Sequence, residues 1–429
     1  MLFRLVLLYI VIFYSQIGGR VPILGKIRIE FLVGSLALCL ILMRKLDRSR
    51  KAESGNQFNY AIIFFFISML ITIPISYWPG KSIETLIRVL KYFSIYIMIV
   101  STVDTEEKLK QFVWTYLMMV FLIVGEPFLG VITGNATFGS HRGYDRLMGA
   151  TGLWAHPNSL GGFASANLPF LYFLYKAENS KLKRWLILAI AVSSIGSIIF
   201  TGSRTAYVGV LGVVGAIWIV NPHKIRNIVL ALFFLVVIWF VMPDDYRNQF
   251  LSLKSMDEVI LSKDEAVDGS MMERWEIVRD AWMIFLDHPF LGVGVDAFPT
   301  VRGARFNRWQ DTHNLYLQVL TNLGIIGGIA FFNLMVSIFK NLTRTKRHLE
   351  TLGGRENIWL SQLAQAVTIF VLGRLIVGMF GMDLYENYWW FAGGLSVVMR
   401  RVASARALSE SQHDVHSRPL AIASPKETL

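Results

Sequence analysis

Cysteine is almost absent: Cys39 is the only one in 429 residues. It lies inside an apolar run, which excludes an intrachain disulfide and a cysteine metal cluster. Charge is scarce too, at 17% Asp, Glu, Lys and Arg, against about 25% in soluble domains. The acidic pair Asp244-Asp245 has no histidine or further carboxylate at metal-ligand spacing, and reads as a solvated helix start. There is no internal repeat and no second soluble domain. The opening MLFRLVLLYIVIFYSQIGG has a short n-region and no clear A-x-A site. It reads as a retained first span, not a cleaved signal peptide.

What is present is apolar: 54% hydrophobic residues and a mean hydropathy of +0.48. Runs of about 20 apolar residues match a bilayer core of about 30 Å. The chain therefore reads as an all-α polytopic membrane protein with about twelve transmembrane helices, near 3–18, 29–46, 60–78, 83–102, 111–133, 160–177, 184–201, 205–220, 226–243, 312–338, 358–380 and 383–400.

The net charge of +12 would suit nucleic acid, but its distribution argues otherwise. Arg44, Lys45, Arg48, Arg50 and Lys51 follow the second span. Lys176, Lys181, Lys183 and Arg184 flank the loop after the sixth, and Lys224 and Arg226 follow the eighth. Lys340, Arg344, Lys346, Arg347 and Arg355 follow the tenth, and Arg400 and Arg401 the last. All fall on one side if the N-terminus is cytoplasmic. This predicts a multi-pass inner-membrane protein with both termini cytoplasmic and no nucleic-acid partner. Two large loops, near 134–159 and 242–311, then face the periplasm. Residues 1–403 read as the transmembrane domain, and 404–429, polar and aperiodic, as a disordered cytoplasmic tail.

The stretch 274–328 organises the rest. A helix is predicted over 270–288, with Ser270 and Glu273 at capping-box spacing and Pro289 as its stop. At 100° per residue, Met271, Trp275, Val278, Trp282 and Phe285 form an apolar stripe, with Glu273, Glu276, Asp280 and Asp287 opposite. Arg274 and Arg279 flank the stripe. They either bind a lipid phosphate or stand solvated on a surface helix. His313 and Asn314 fall in the first turn of the tenth span, capped by Asp311 or Thr312. A helix N-terminus favours a neutral imidazole, as a general base requires; an interfacial cap is the plainer reading.

Other basic residues share that face. Arg204 lies in the very short turn between the seventh and eighth spans, either snorkelling or facing a cavity. Gly209, Gly212 and Gly215 favour close helix approach behind it. Arg88 and Lys91 lie three apart on the fourth span. Arg374 either binds a ligand or pairs with Asp383 or Glu386. The loop 141–162 supplies Arg146 and His156 as candidates for an acceptor or loop site, with His156-Pro157-Asn158 placed to cap the sixth span. Arginines and a histidine without an acidic metal cluster suit a doubly charged phosphate leaving group and predict no metal or cofactor.

Three motifs carry a resemblance: TGSRTAYVGVLG around Arg204, ERWEIVRDAW followed by HPFLGVGVDAF, and THNLYLQVLTNLGIIGG from Thr312. With GLWAHPNSLGG, in this order, the chain resembles the O-antigen ligase and O-antigen polymerase superfamily of bacterial membrane glycosyltransferases. The resemblance covers most of the chain. It implies a GT-C-like helical bundle with a large periplasmic loop and metal-independent chemistry. The implied donor is an undecaprenyl-diphosphate-linked glycan. The implied acceptor is the lipid A-core for a ligase, or a lipid-linked repeat unit for a polymerase of O-antigen or exopolysaccharide, which would work beside a chain-length regulator. Arg204, Arg274 and His313 match the family's turn arginine, loop arginine and histidine, although Met-Glu-Arg stands here where many members have Ser-Gly-Arg. The roles implied are donor pyrophosphate binding by Arg204 and Arg274, helped by Arg88, Lys91 or Arg374, and proton abstraction by His313. The competing reading is a transporter or flippase of lipid-linked oligosaccharide.

Overall fold

The computed structural model describes residues 1–47, 57–141, 144–220, 236, 239–240, 247 and 265–417. The chain opens with α1 (Leu2–Ser15), which ends where Gln16 turns left-handed, and two short helices, α2 (Ile17–Arg20) and α3 (Pro22–Lys26). There follow α4 (Ile29–Asp47), α5 (Gln57–Thr72), α6 (Pro79–Thr102) and α7 (Glu106–Thr133). A hairpin of β1 (Phe138–His141) and β2 (Tyr144–Leu147) interrupts the helices. Beyond it lie α8 (Pro157–Ala177), α9 (Lys181–Thr201) and α10 (Arg204–Val220). The second half contains α11 (Glu265–Asp287), α12 (Phe298–Phe306), α13 (Leu315–Leu352), α14 (Ile358–Val377) and α15 (Tyr388–Ser417).

Local chemistry sets the ends. The Thr105 hydroxyl caps α7 by accepting from Lys108 N, and Gly134 closes it in the left-handed conformation. His156 caps α8 through its ring nitrogen, with Pro157 in the first turn, as the sequence suggested. Gly202 (φ 54°) makes the tight turn from α9 into α10.

Among the described residues, four helical segments are long and apolar enough to cross a membrane: Glu106–Thr133, Lys181–Thr201, Leu315–Leu352 and Arg355–Val377. Leu2–Ser15, Phe58–Thr72 and Arg204–Val220 are apolar but shorter. The remaining expected spans overlap α4, α6, α8 and α15, which are not among these segments, except 226–243, which lies almost wholly outside the described residues, as do Asp244 and Asp245.

Several expectations change. Lys340, Arg344, Lys346 and Arg347 after the tenth span are helical, because α13 runs on to Leu352. Helix α15 continues to Ser417, over residues 404–417 of the expected tail. The expected outer loop 134–159 folds partly as the β1–β2 hairpin. Ser270 is not a cap, since α11 begins at Glu265.

The core is aromatic and continuous. Trp389 and Trp390 of α15 are buried against Phe65, Phe66, Phe93 and Phe331. Helix α8 packs closely on α9, α10 and α14 through small residues. A Cβ on Gly209 would meet Ser165 and Val377 at 2.8 Å, and one on Gly212 would meet Ile376 at 2.9 Å. Among the described residues, nothing lies within 4 Å of a Cβ placed on Gly215. A smaller cluster of Ala281, Ile284, Val293, Ala297, Phe298 and Val301 seats α11 and α12 on the start of α13.

Candidate functional site

Helix α13 is broken at Gly324 (φ 64°, ψ −164°). The loop after α11 inserts into that break. Pro289 and Phe290 carbonyls accept from Ile325 and Ile326 N–H, while Val293 and Gly294 N–H donate to the Thr321 and Asn322 carbonyls. The break would otherwise leave backbone groups unpaired in an apolar interior, which is costly. Gly292 (φ 67°) is needed at the crossing, because a Cβ there would meet the Asn322 backbone at 2.5 Å. The GVG and NLG motifs are thus two halves of one backbone clasp. It fixes residues 289–294 against the segment 321–326.

His313 stands just ahead of α13, in the left-handed region (φ 45°), not in its first turn as expected. Asn314 is the cap, accepting from Tyr316 N and Leu317 N at 2.9 and 3.0 Å. The turn is tied to the end of α14: Leu315 N donates to the Gly378 carbonyl, and Asn314 Nδ2 to Met379 at 3.0 Å. A non-glycine residue at positive φ costs free energy and persists only where its neighbours hold it. Here the cap and the α14 contacts do so.

Helix α11 turns the tryptophans of its apolar stripe outward and covers a neighbouring face. Ile277, Asp280, Ala281 and Ile284 are buried, whereas Trp275 is 69% and Trp282 50% exposed. Asp280, expected opposite the stripe, lies under α12 and pairs with Arg302 (Nε to Oδ2, 2.9 Å). Arg302 is wholly buried. Its Nη1 donates to Gln310 Oε1 at 2.8 Å, and Gln310 Nε2 donates to Glu273 at 3.0 Å. Arg308 reaches Glu276 at 3.0 Å and Asp280 at 3.6 Å. Arg274, next to Glu273, is exposed. Partial burial of His313 depresses its pKa below the ordinary histidine value. The charge of Arg274 adds to this, Glu273 opposes it, and Arg302 adds again. These effects favour the neutral imidazole over the protonated one.

Sequence reasoning missed Arg302. Its signal was the i, i+3, i+4 pattern of Phe298, Val301 and Arg302, which puts the arginine on the covered face of a short helix.

A second group of charges lies beside the same turn. Arg88 of α6 approaches Asp296 at 3.5 Å, and Thr85 donates to that carboxylate at 2.7 Å. Burial, reinforced by Asp296 and offset by the Thr312 N–H and by Arg88, pushes the Asp311 carboxyl up to about 6. Asp383 and Glu386 lie in the connection ahead of α15. Burial, with repulsion from Asp383, pushes Glu386 up to about 7 against the pull of Arg88 and Arg374. Arg374 is buried and ion-paired with Asp383. Its Nη1 donates to the Gly162 carbonyl at 3.3 Å, and its guanidinium stacks on Tyr388 at 3.8 Å. Of the two readings open for Arg374, the pairing with Asp383 is formed.

The remaining candidates sit apart from His313 to different degrees. Arg204 opens α10, half-buried, next to Ser203, which donates to Asn158 at 3.0 Å. Arg146 donates to the same Asn158 oxygen at 2.6 Å and to the Thr201 carbonyl at 2.7 Å, docking the hairpin on the Arg204 turn. That turn packs on Gly161 and Arg374 reaches Gly162, so α8 links the two arginines. Lys91 pairs with Glu30 of α4 at 2.8 Å.

The apolar helices describe a helical integral membrane protein, in which Arg274, Glu273 and Arg302 lie near enough to His313 to act on its charge. The family model described as O-antigen ligase matches residues 186–332. That segment holds Arg204, Arg274, Arg302, His313 and the Gly324 break, and the match supports the O-antigen ligase and polymerase superfamily for this chain. Arg88, Lys91, Arg146, His156 and Arg374 lie outside it. A comparison with curated proteins returned no match.

Proposed function

We propose that the chain is a membrane glycosyltransferase that moves a glycan from an undecaprenyl-diphosphate donor to an acceptor sugar hydroxyl at the periplasmic face. One observation carries the reading. A neutral-leaning His313 stands in a rigid turn beside Arg274, inside the segment that matches the ligase family. In this scheme the acceptor oxygen bonds to the anomeric carbon, and the bond from that carbon to the diphosphate oxygen breaks. Undecaprenyl diphosphate departs with the electron pair, and His313 takes the hydroxyl proton. Arg274 and Arg204 offer planar, two-point contacts to the diphosphate and offset its growing charge. Arg88 and Arg374 stand close by, each beside a carboxylate. The exposed Trp275 and Trp282 suit the polyprenyl chain.

Purified protein in lipid, given a lipid-diphosphate glycan with either a lipid A-core or a second lipid-linked glycan, will form a glycosyl bond with one of the two acceptors. Turnover will survive EDTA, since arginines supply the positive charge that a metal otherwise would. Loss of turnover in EDTA, restored by Mg²⁺, overturns the charge assignment. Binding of donor without product on either acceptor favours a carrier of lipid-linked glycans instead.

Sidedness has its own check. Cys39 is exposed, so Cys39→Ser gives a clean background. Ala304→Cys and Thr351→Cys replace exposed residues at opposite ends of the bundle. An impermeant thiol reagent added to intact cells, with the outer membrane opened, will label position 304 and spare 351. Labelling of both from outside sinks the orientation.

A further inference from the structure

We infer that Arg302 is the positioning residue of this site, locking the helix that carries Arg274 to the turn that carries His313. The inference rests on the reading of His313 as a general base.

The geometry is a chain of contacts that starts at a buried ion pair and runs out to Gln310 and Glu273 near the surface. Arg302 comes from α12, Asp280 and Glu273 from α11, and Gln310 from the loop four residues after α12 and three before His313. Arg302 spans the three elements with separate nitrogens: Nε to Asp280 at 2.9 Å, Nη1 to the Gln310 side chain at 2.8 Å and to its carbonyl at 3.4 Å. Gln310 returns the link to α11 through Glu273, the neighbour of Arg274. A guanidinium can hold several fixed directions at once, and an ammonium cannot. Burying that charge is costly, so a fully covered arginine calls for an explanation beyond packing. Its third nitrogen, Nη2, is buried without a hydrogen bond among the described residues.

Two consequences reach His313. The link fixes the distance from Arg274 to the imidazole, and reacting groups misplaced by about 1 Å can lose up to about 10²-fold in rate. The charges that act on the imidazole are Arg274 and Glu273 from α11 and Arg302 from α12. After burial, Arg302 is thus with Arg274 one of two cations that disfavour its protonated form.

Glycan transfer by variants in lipid, followed against pH, separates charge from geometry. Arg302→Gln removes the cation. The acid limb of the pH–rate profile will move to higher pH, since an imidazole freed of a neighbouring cation holds its proton more tightly. The plateau will fall about tenfold or more. Arg302→Lys keeps the charge and loses the fork: the limb will stay while the plateau falls. Gln310→Ala cuts the return link without stranding the buried pair. It will lower the plateau and leave the limb in place, and it decides the matter if the Arg302 variants do not fold. A folded Arg302→Gln with parent plateau and limb, or a Gln310→Ala with parent plateau where Arg302 variants are unfolded, overturns the inference. His313→Ala run alongside separates the two ideas. If it transfers glycan normally, the reading of the base fails. If it is inactive while the Arg302 and Gln310 variants behave as the parent, only the positioning role fails.

Discussion

Arg374→Met, with Asp383 left in place, will destabilise the protein by about 3–5 kcal/mol, the cost of stranding one member of a buried ion pair. Arg374 is 3% and Asp383 9% exposed. The arginine is also held by the Gly162 carbonyl and by the Tyr388 ring. Its contacts join α8, α14, α15 and the connection ahead of α15. Asp383→Asn will cost less, because an amide oxygen still accepts from the guanidinium. The double variant Arg374→Met/Asp383→Leu will recover much of the loss, as apolar replacements of buried pairs do. Thermal unfolding of the purified proteins in lipid reads all three. Donor affinity of the double variant then tells whether Arg374 also serves the ligand. If Arg374→Met unfolds at the parent temperature and only donor binding weakens, Arg374 belongs to the donor site and the pair with Asp383 is incidental.

That pair was foreseeable, and Arg302 was harder, for the same physical reason. Apolar runs announce helices regardless of their neighbours, so α7, α9, α13 and α14 were legible from Phe, Leu, Ile and Val alone. A charge inside such a run, like Arg374, stands out, and Asp383 is its near neighbour in sequence. Arg302 lies in a polar loop region, where an arginine draws no notice. Periodicity found the amphipathic stripe of α11 but could not say which side the protein covers. In a membrane protein an apolar face turned outward is no anomaly, and Trp275 and Trp282 are left exposed while Ile277 and Asp280 are buried. The Gly324 break was written as NLGIIGG, yet its meaning depends on a loop some 30 residues upstream, which no local pattern reveals. The hairpin β1–β2 is held by pairing and by Arg146, with little apolar alternation to betray it.

His313→Ala will lower glycan transfer by about 10²-fold or more and leave donor binding nearly intact. The histidine acts on the acceptor proton, whereas the donor diphosphate is held by guanidinium groups. Substitution will not unfold the site, because the turn is capped by Asn314 and pinned to Gly378 through backbone and amide contacts that His313 does not make. Removing a residue at φ 45° even relieves some strain if glycine replaces it, so His313→Gly is the folding control. The arginines should behave oppositely. Arg274→Ala and Arg204→Ala will weaken donor binding and turnover together, since each removes a charge-assisted contact to phosphate. Lysine at either position will restore only part of the loss, because an ammonium lacks the planar fork. The parent pH–rate profile adds a sign. With the His313 pKa held below the ordinary value, its acid limb will lie below that of free histidine, and turnover will be lost as pH falls through it. A folded His313→Ala protein that transfers glycan at near the parent rate reduces His313 to a strained turn residue. If donor binding then still depends on Arg204 and Arg274, the site is one that holds a lipid diphosphate without acting on it, and the carrier reading takes its place.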